Sequence, residues 1–218
     1  MSSAIIAVLT GDLIASTDQK ASVVDTAMGR IRVAADPVAG WPGNSDTRFT
    51  RFRGDGWQVC LAAPQYCLRA ALFVAATLRA DDIRMETRIS IALGTADSLG
   101  TADLSDASGE AFQLSGRQLD SMSRTARIAL TGTGIGDRDR IIARQMFERA
   151  SRWTQPQAEA MALYLHPDNP TLNDIAERLG ITPQAVNYRL GGGGAVNLRT
   201  NLQLWEEVIE DELAKRHA

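Results

Sequence analysis

The chain has 218 residues, of which 44% are hydrophobic and 22% charged, which is the composition of a soluble globular protein with a sizeable core. Its formal net charge of −3 excludes a global field that would draw the whole chain to nucleic acid or anionic lipid. Residues 1–12 hold no basic segment and only a short apolar run, so we expect neither a signal peptide nor a membrane span and predict a cytoplasmic protein. Cys60 and Cys67 lack CxxC spacing and are predicted to be buried thiols in a reducing compartment.

The pattern of residues 4–35 predicts a strand followed by a helix. Residues 4–10, AIIAVLT, form a short β-branched apolar run that is typical of a central strand buried on both faces. The STDQ segment that follows offers Ser16 or Thr17 as an N-cap, and apolar residues at helical spacing predict a helix over residues 18–35. Residues 36–46 are rich in proline and glycine and are expected to form a loop.

Residues 48–63, RFTRFRGDGWQVCLAA, predict a β-hairpin. Asp55-Gly56 is the expected two-residue turn, because Asp-Gly suits the positive φ angles of a type I′ turn. This turn pairs Arg53 with Gln58 and places Arg51 and Arg53 together on one face. The two arginines are candidate phosphate ligands, and the alternative is that they are solvated or paired with Asp46.

Four more elements complete the first half: a helix over 64–82, a strand over 84–96, a helix over 109–123 and a strand over 126–132. The order contains the β-α-β-β-α-β kernel of a ferredoxin-like, or palm, sheet. We therefore predict an α+β fold in which residues 1–135 form a palm domain with helices on one face and the other face open to a ligand. Residues 136–218 are predicted to form an all-α domain.

Two Gly-Asp pairs mark the expected functional site. Asp12 follows the first strand, and Asp55 lies at the tip of the hairpin. In a palm fold these two positions are neighbours, and two carboxylates that meet would bind a hard cation such as Mg²⁺. The alternative is that Asp12 caps the first helix and Asp55 simply occupies a turn.

These residues resemble the class III nucleotide cyclase and GGDEF palm superfamily, and most closely the bacterial SatD-like proteins. GDLIAS resembles the Gly-Asp-Ile-x-x-Ser opening of that family, and RGDGWQ resembles its Gly-Asp-Glu-Phe-Gln hairpin. The resemblance covers residues 4–131 and implies that Asp12 and Asp55 hold Mg²⁺ on a nucleoside triphosphate. Gly56 departs from the pattern, because the relatives carry a second acid there.

A third segment resembles the cyclase helix motif Gly-x-x-Val-Asn-x-Ala-x-Arg. Here GEAFQLSGR runs from Gly109 to Arg117. The resemblance implies that Arg117 stabilises the charge of the transition state and that Gln113, in place of Asn, positions the substrate. In the cyclase family the site forms between subunits, so Asp12 and Asp55 are expected from one chain and Arg117 from its mate in a homodimer.

The segment 169–190 resembles the helix-turn-helix of bacterial transcription regulators and of sigma-factor region four. Gly180 supplies the turn, and Thr182 with Pro183 begins the second helix. In that family the second helix enters the major groove of DNA, with the base-reading residues expected here to be Gln184, Asn187, Tyr188 and Arg189. Few basic residues surround them and the tail is acidic, so the alternative is a module for dimerisation or docking.

Together these patterns lead to three hypotheses. The first is a DNA-binding transcriptional regulator whose palm binds a nucleotide, either a triphosphate or a cyclic nucleotide, or another Mg²⁺-phosphate ligand. The alternative is an active Mg²⁺-dependent nucleotide cyclase in which the helical domain serves dimerisation. The third is a degenerate palm that serves as a protein-interaction scaffold.

Overall fold

A computed structural model of the protein describes residues 4–44, 46–83 and 85–217. Five strands form one sheet in the order β2-β3-β1-β4-β5, and all neighbours are antiparallel except β4 and β5. The strands are β1 (Ile5–Leu13), β2 (Arg48–Phe52), β3 (Gly56–Leu61), β4 (Thr87–Thr95) and β5 (Ile128–Gly132). The first four have the strand order of a ferredoxin-like sheet, which confirms the α+β prediction.

One face of the sheet carries α1 (Ala21–Val38) and α2 (Cys67–Arg79). Alternate residues of the strands point to this side, where Leu9, Trp57 and Ile91 are completely buried in the main core. The other face was predicted to be open, and it is not. The helix α3 (Glu110–Ser121) packs there through Ala111, Phe112 and Ser115, which are the residues that recur on its buried side.

The first helix begins later than its sequence indicates. Ser16–Asp18 form a single 3₁₀ turn, and α1 starts at Ala21 after Lys20, which makes no side-chain cap. The prediction that Ser16 or Thr17 caps the helix is therefore wrong. The helix also continues to Val38, into the segment that was predicted to be a loop.

The predicted hairpin register is also wrong. Phe52 pairs with Gly56, so the connection contains residues 53–55 and Gly56 already belongs to β3. Arg53 and Gly54 have φ angles of 50° and 84°, so these residues rather than Asp55-Gly56 take the left-handed conformation. Because the register shifts by an odd number of residues, Arg51 changes to the other face of the sheet from the one predicted.

The second half of the chain is helical and packs against the α2 side of the sheet. Its helices are α4 (Asp137–Ala150), α5 (Gln155–Tyr164), α6 (Leu172–Leu179), α7 (Pro183–Gly193) and α8 (Ala195–His217). The two halves share one continuous core. Within it, Arg69 of α2 and Glu206 of α8 form a buried ion pair through two hydrogen bonds of 2.6 and 2.8 Å. Of the helices described, none has both the length and the apolar character that a bilayer span requires.

Candidate functional site

The backbones of Asp12 and Asp55 lie side by side at one end of the sheet. Asp12, near the end of β1, pairs with Gly56 at the start of β3, directly beside Asp55. The backbone amide of Leu13 donates to the carbonyl oxygen of Asp55 over 3.2 Å. The fold thus brings together the two acids that the sequence singled out, although they lie 43 positions apart in the chain.

The side chain that contacts Asp12 most closely is Arg88. Asp12 and Arg88 are register partners on β1 and β4, and both project to the α3 side of the sheet. The Arg88 guanidinium is bidentate: its Nε donates to Asp12 Oδ1 over 2.8 Å, and its Nη2 donates to Oδ2. This hydrogen-bonded carboxylate raises the pKa of Arg88, and the charges of Asp120 and Asp55 act in the same direction. The Arg88 guanidinium thus neutralises Asp12 and lies within electrostatic range of Asp55 and Asp120.

Asp55 has a different partner. The hydroxyl of Ser16, from the 3₁₀ turn after β1, donates to Asp55 Oδ2. Ser16 lies four residues before Lys20, the N-cap position of α1, so its hydroxyl serves Asp55 and not the helix. Ser16 was expected as a cap and as the last residue of the GDLIAS resemblance, and Arg88 was not singled out. Arg88 has the same parity on its strand as Ser90 and faces the side that Asp12 faces, but only the pairing of β1 with β4 identifies it as the partner of Asp12.

Gly56 stands where the cyclase and GGDEF pattern has a second acid, and the space beside it is filled. A Cβ atom on Gly56 would lie 2.8 Å from Cε2 of Phe52 and 2.9 Å from its carbonyl oxygen. Phe52 thus covers the space that a side chain at residue 56 would enter. A larger residue at position 56 would therefore have to displace Phe52.

The oxygen donors at this edge suit a hard cation that brings ligands of its own. Among the residues that the structure describes, no group of three or more His, Cys, Asp or Glu side chains converges on one point. Two carboxylates are nevertheless what Mg²⁺ commonly uses when substrate phosphates and water complete its octahedron. Asp12 and Asp55 would hold such an ion, and Arg88 occupies the oxygens of Asp12 in its place.

Gln113 and Arg117 lie apart from the two acids. They are one helical turn apart on the exposed side of α3, whereas Ser115 on the opposite side is buried and lies 2.8 Å from the hydroxyl of Thr10. A single chain therefore does not direct Gln113 and Arg117 at the Asp12–Asp55 edge. Their predicted roles in substrate positioning and charge stabilisation require a second subunit.

The hairpin arginines are also placed differently from the prediction. Arg51 lies on the α1 side, where its Nη1 is 2.8 Å from Asp25 Oδ1 and its Nε donates to the carbonyl oxygen of Gly54. Arg53 is exposed at the tip of the hairpin. Arg51 therefore does not lie on the α3 side of the sheet, which carries Asp12 and Arg88, and Arg53 lies outside the strands. Their role as phosphate ligands stays a prediction.

The segment 169–190 contains two short helices joined by a tight turn. Gly180 ends α6 in the left-handed conformation with a φ of 64°, and the Thr182 hydroxyl accepts from the Ala185 amide at the start of α7. Three of the four predicted base readers, Gln184, Asn187 and Tyr188, are exposed, and Tyr188 most of all at 85%. Arg189 instead pairs with Glu159 of α5 over 2.9 Å.

Comparisons with known proteins find similarity in structure only. No family model matches the chain, and no curated protein sequence matches it. Among solved structures, the adenylyl cyclase CyaB from P. aeruginosa aligns with a TM-score of 0.42 at 15% identity, over 58% of this chain and 76% of that one. A bacterial light-regulated adenylyl cyclase aligns with a TM-score of 0.44 at 15% identity, over 61% of this chain and 43% of that one.

The guanylyl cyclase Cya2 is a further match, with a TM-score of 0.38 at 17% identity over 55% of this chain and 71% of that one. Because all three identities are at most 17% and all three TM-scores lie below 0.5, these matches assign neither an activity nor a substrate to the chain.

Proposed function

We propose that the Asp12–Asp55 edge of the sheet binds the triphosphate of a nucleotide together with Mg²⁺, and that the protein is a nucleotide cyclase that acts as a homodimer. The observation that carries this proposal is the backbone proximity of Asp12, near the end of β1, and Asp55, in the turn directly before β3. Mg²⁺ would be held by Asp12 and Asp55 and would neutralise the phosphates. The resemblance of the two Gly-Asp segments to the cyclase family supports the same assignment.

Six residues have a defined task in this proposal. Asp12 and Asp55 supply oxygen ligands, and Ser16 orients Asp55 through its hydrogen bond. Arg88 neutralises Asp12 until the ligand arrives, and its guanidinium then supplies positive charge beside the phosphates. Arg117 and Gln113 would act on the nucleotide bound by the other subunit, since both are exposed on the outer side of α3.

The test is a product assay with the purified full chain. We expect incubation with each nucleoside triphosphate and Mg²⁺ or Mn²⁺ to yield a cyclic nucleotide by mass spectrometry from at least one of them. Asp12→Asn and Asp55→Asn should each remove the product, and Asp18→Asn, which changes an exposed acid of the neighbouring turn, should not. Formation of no cyclic product from any triphosphate would contradict the cyclase assignment.

A second candidate function, DNA binding by α6 and α7, has one specific observation in its favour. Gln184, Asn187 and Tyr188 form an exposed polar surface on a helix whose N-terminus is capped. Amide side chains in such a position suit base edges in a major groove. The engagement of Arg189 with Glu159 leaves few cations for phosphate contacts.

A gel shift at two salt concentrations tests the DNA candidate. If α7 reads DNA, Asn187→Ala with Tyr188→Ala should abolish the shift, and the wild-type shift should weaken at the higher salt. An absence of any shift for the wild-type protein at low salt would remove this candidate.

A further inference from the structure

A pocket opens beside the start of β5, between the segment that follows α3 and the helix α4. Its volume of about 360 Å³ lies within the ~300–1,000 Å³ range of small-ligand pockets. Both cationic side chains and hydroxyl groups line it. The polar side chains are, from the segment before β5, Ser123, Thr125 and Arg127, and, from α4 and its end, Arg144, Glu148 and Ser151.

The pocket is separate from the Asp12–Asp55 edge. Asp12 projects to the α3 side of the sheet, whereas Ile128, at the start of β5, belongs to the main core on the opposite side and also lines the pocket. Neither Asp12 nor Asp55 lines it. A ligand in this pocket would therefore be bound independently of the proposed nucleotide site.

The two arginines of the pocket are short of negative partners. Arg144 is exposed, and no carboxylate of the described residues forms an ion pair with it, although Arg140 and Arg152 each have one. Arg127 pairs with Glu86 over 3.1 Å, but Glu86 also binds Arg79 over 2.5 Å. One carboxylate thus serves two guanidinium groups.

The single carboxylate that lines the pocket has a cation of its own. Glu148 Oε1 accepts a hydrogen bond from Arg152, one helical turn further along the chain. The side chains joined by these contacts, together with Arg144, are four arginines and two glutamates. On a chain with a formal net charge of −3, they form a local excess of positive charge, which attracts an anion.

Hydrogen-bond donors in the pocket favour a phosphoryl group. The hydroxyls of Ser123 and Thr125 lie 3.2 Å apart, so one donates to the other and the second keeps its hydrogen for a ligand. Arg127 uses its Nε and Nη1 within the protein, which leaves its Nη2 hydrogens for the pocket. Two guanidinium groups and a hydroxyl suit the three acceptor oxygens of a phosphoryl group better than the two of a carboxylate.

We propose that this pocket binds the phosphoryl group of a small phosphorylated molecule through Arg127, Arg144 and the Ser123–Thr125 hydroxyl pair. The anion gives Arg144 the negative partner that it lacks within the described part of the chain. Glu148 is the one side chain of the pocket that opposes it. The pocket also has room beside the phosphoryl group for a small carbon skeleton.

The first test titrates the isotope-labelled full chain with inorganic phosphate and with glycerol phosphate, and follows the amide signals by NMR. Divalent metals are left out, so that the proposed nucleotide site, which needs Mg²⁺, does not contribute. We expect saturable shifts centred on residues 122–128 and 144–151, with glycerol phosphate bound at least as tightly as inorganic phosphate. Acetate at the same ionic strength should give no saturable shift there.

Three outcomes of this titration would overturn the proposal. The first is the absence of saturable shifts at these residues with either phosphate compound. The second is an equal response to acetate, which would show that the pocket does not select a phosphoryl group. The third is binding of inorganic phosphate alone, which would exclude a phosphorylated molecule as the ligand.

The second test changes single charges. Arg144→Gln should weaken the binding of glycerol phosphate about fivefold or more, because a charge-assisted hydrogen bond to the anion is lost. Glu148→Gln should strengthen it about two- to fourfold, because a like charge is removed and Arg152 is released. Arg138→Gln is the matched control, since Arg138 is an exposed arginine of the same helix that does not line the pocket.

All three substitutions replace exposed side chains, and amide signals that are unchanged elsewhere will confirm that the variants fold. Binding by Arg144→Gln that equals the wild type would overturn the proposal. So would an equal loss in Arg138→Gln, because the anion would then be held by the general charge of α4 and not by the pocket.

Discussion

Arg88 and Asp12 face each other on neighbouring strands, and the guanidinium of Arg88 binds both oxygens of the Asp12 carboxylate. In the structure, the positive charge beside the Asp12 carboxylate is therefore that of Arg88. In the proposed site, a divalent metal ion would compete with Arg88 for the oxygens of Asp12. The phosphates of a nucleotide would then offer Arg88 a new anionic partner.

Removal of Arg88 should strengthen the binding of metal alone. We expect Arg88→Gln to raise the affinity for Mn²⁺ by about three- to tenfold, or ~0.7–1.4 kcal/mol, because Asp12 is then no longer neutralised. Electron paramagnetic resonance of free Mn²⁺ measures this affinity directly. The control is Arg127→Gln, which breaks an ion pair with Glu86 instead. Unchanged or weaker Mn²⁺ binding by Arg88→Gln would refute the competition.

Gly11 is required where β1 passes Trp57. A Cβ at residue 11 would lie well inside van der Waals contact with the Trp57 ring and 2.7 Å from the carbonyl oxygen of Arg88. We expect Gly11→Ala to lower the free energy of unfolding by about 1–3 kcal/mol, since the buried ring has no space to retreat. Gly29→Ala is the control, because nothing lies within 4 Å of its Cβ position and the residue is in a helix. That variant should be stabilised by roughly 0.5–1 kcal/mol. Urea unfolding of both proteins distinguishes the two effects, and equal stabilities would contradict the steric account.

The ion pair between Arg69 and Glu206 connects the two halves of the chain. Both side chains are almost fully buried, and burial raises the pKa of Glu206 even though Arg69 opposes this change. Glu206→Gln leaves the buried guanidinium without its charge partner, so we expect a loss of about 3–5 kcal/mol of unfolding free energy. Replacing both residues by Met should recover most of that loss, because no buried charge then remains.

Thermal unfolding monitored by calorimetry tests this pair. A single transition for the wild-type protein is expected from the shared core. A Glu206→Gln variant as stable as the wild type would show that the charge is solvated and not buried.

The two cysteines should be inert in the folded protein. Cys60 and Cys67 are buried and free, and burial raises the pKa of both thiols, of Cys67 most strongly. Because the raised pKa keeps the thiols protonated, the reactive thiolate is scarce at pH 8 in the native state and forms readily only after unfolding. Ellman's reagent should therefore label no thiol rapidly in native protein and two in urea. Fast labelling before unfolding would contradict the burial of these side chains.

The sequence predicted the elements whose residues carry a strong local pattern. The apolar run of β1 and the Thr182-Pro183 start of α7 appear where they were expected, because periodicity and capping are local properties. The backbone proximity of Asp12 and Asp55 was also predicted, since the order of strands in a palm fixes which ends are neighbours. A metal ion shared by their carboxylates stays a prediction. The class of the fold followed from the same order.

The predictions that failed depended on one local backbone conformation or on partners distant in the chain. The hairpin register was wrong because Arg53 adopts a positive φ angle, which an Asp-Gly rule does not anticipate. Ser16 was assigned to a helix cap, but its hydroxyl binds Asp55, which lies 39 positions away. Arg88 was missed because its strand neighbour Asp12 becomes visible only once β1 and β4 are paired. The α3 helix covers the face that was expected to be open, since its amphipathic residues need a sheet to bury them.

The most direct test of the account is calorimetric titration of the full chain with a non-hydrolysable nucleoside triphosphate in the presence of Mg²⁺. We predict saturable binding that depends on the metal and that weakens at least tenfold, or about 1.4 kcal/mol, in both Asp12→Asn and Asp55→Asn. Asp18→Asn, an exposed acid in the adjacent turn, should bind as the wild type does. Binding that is equal in all four proteins, or absent from the wild type for every nucleotide tried, would contradict a nucleotide site at the Asp12–Asp55 edge.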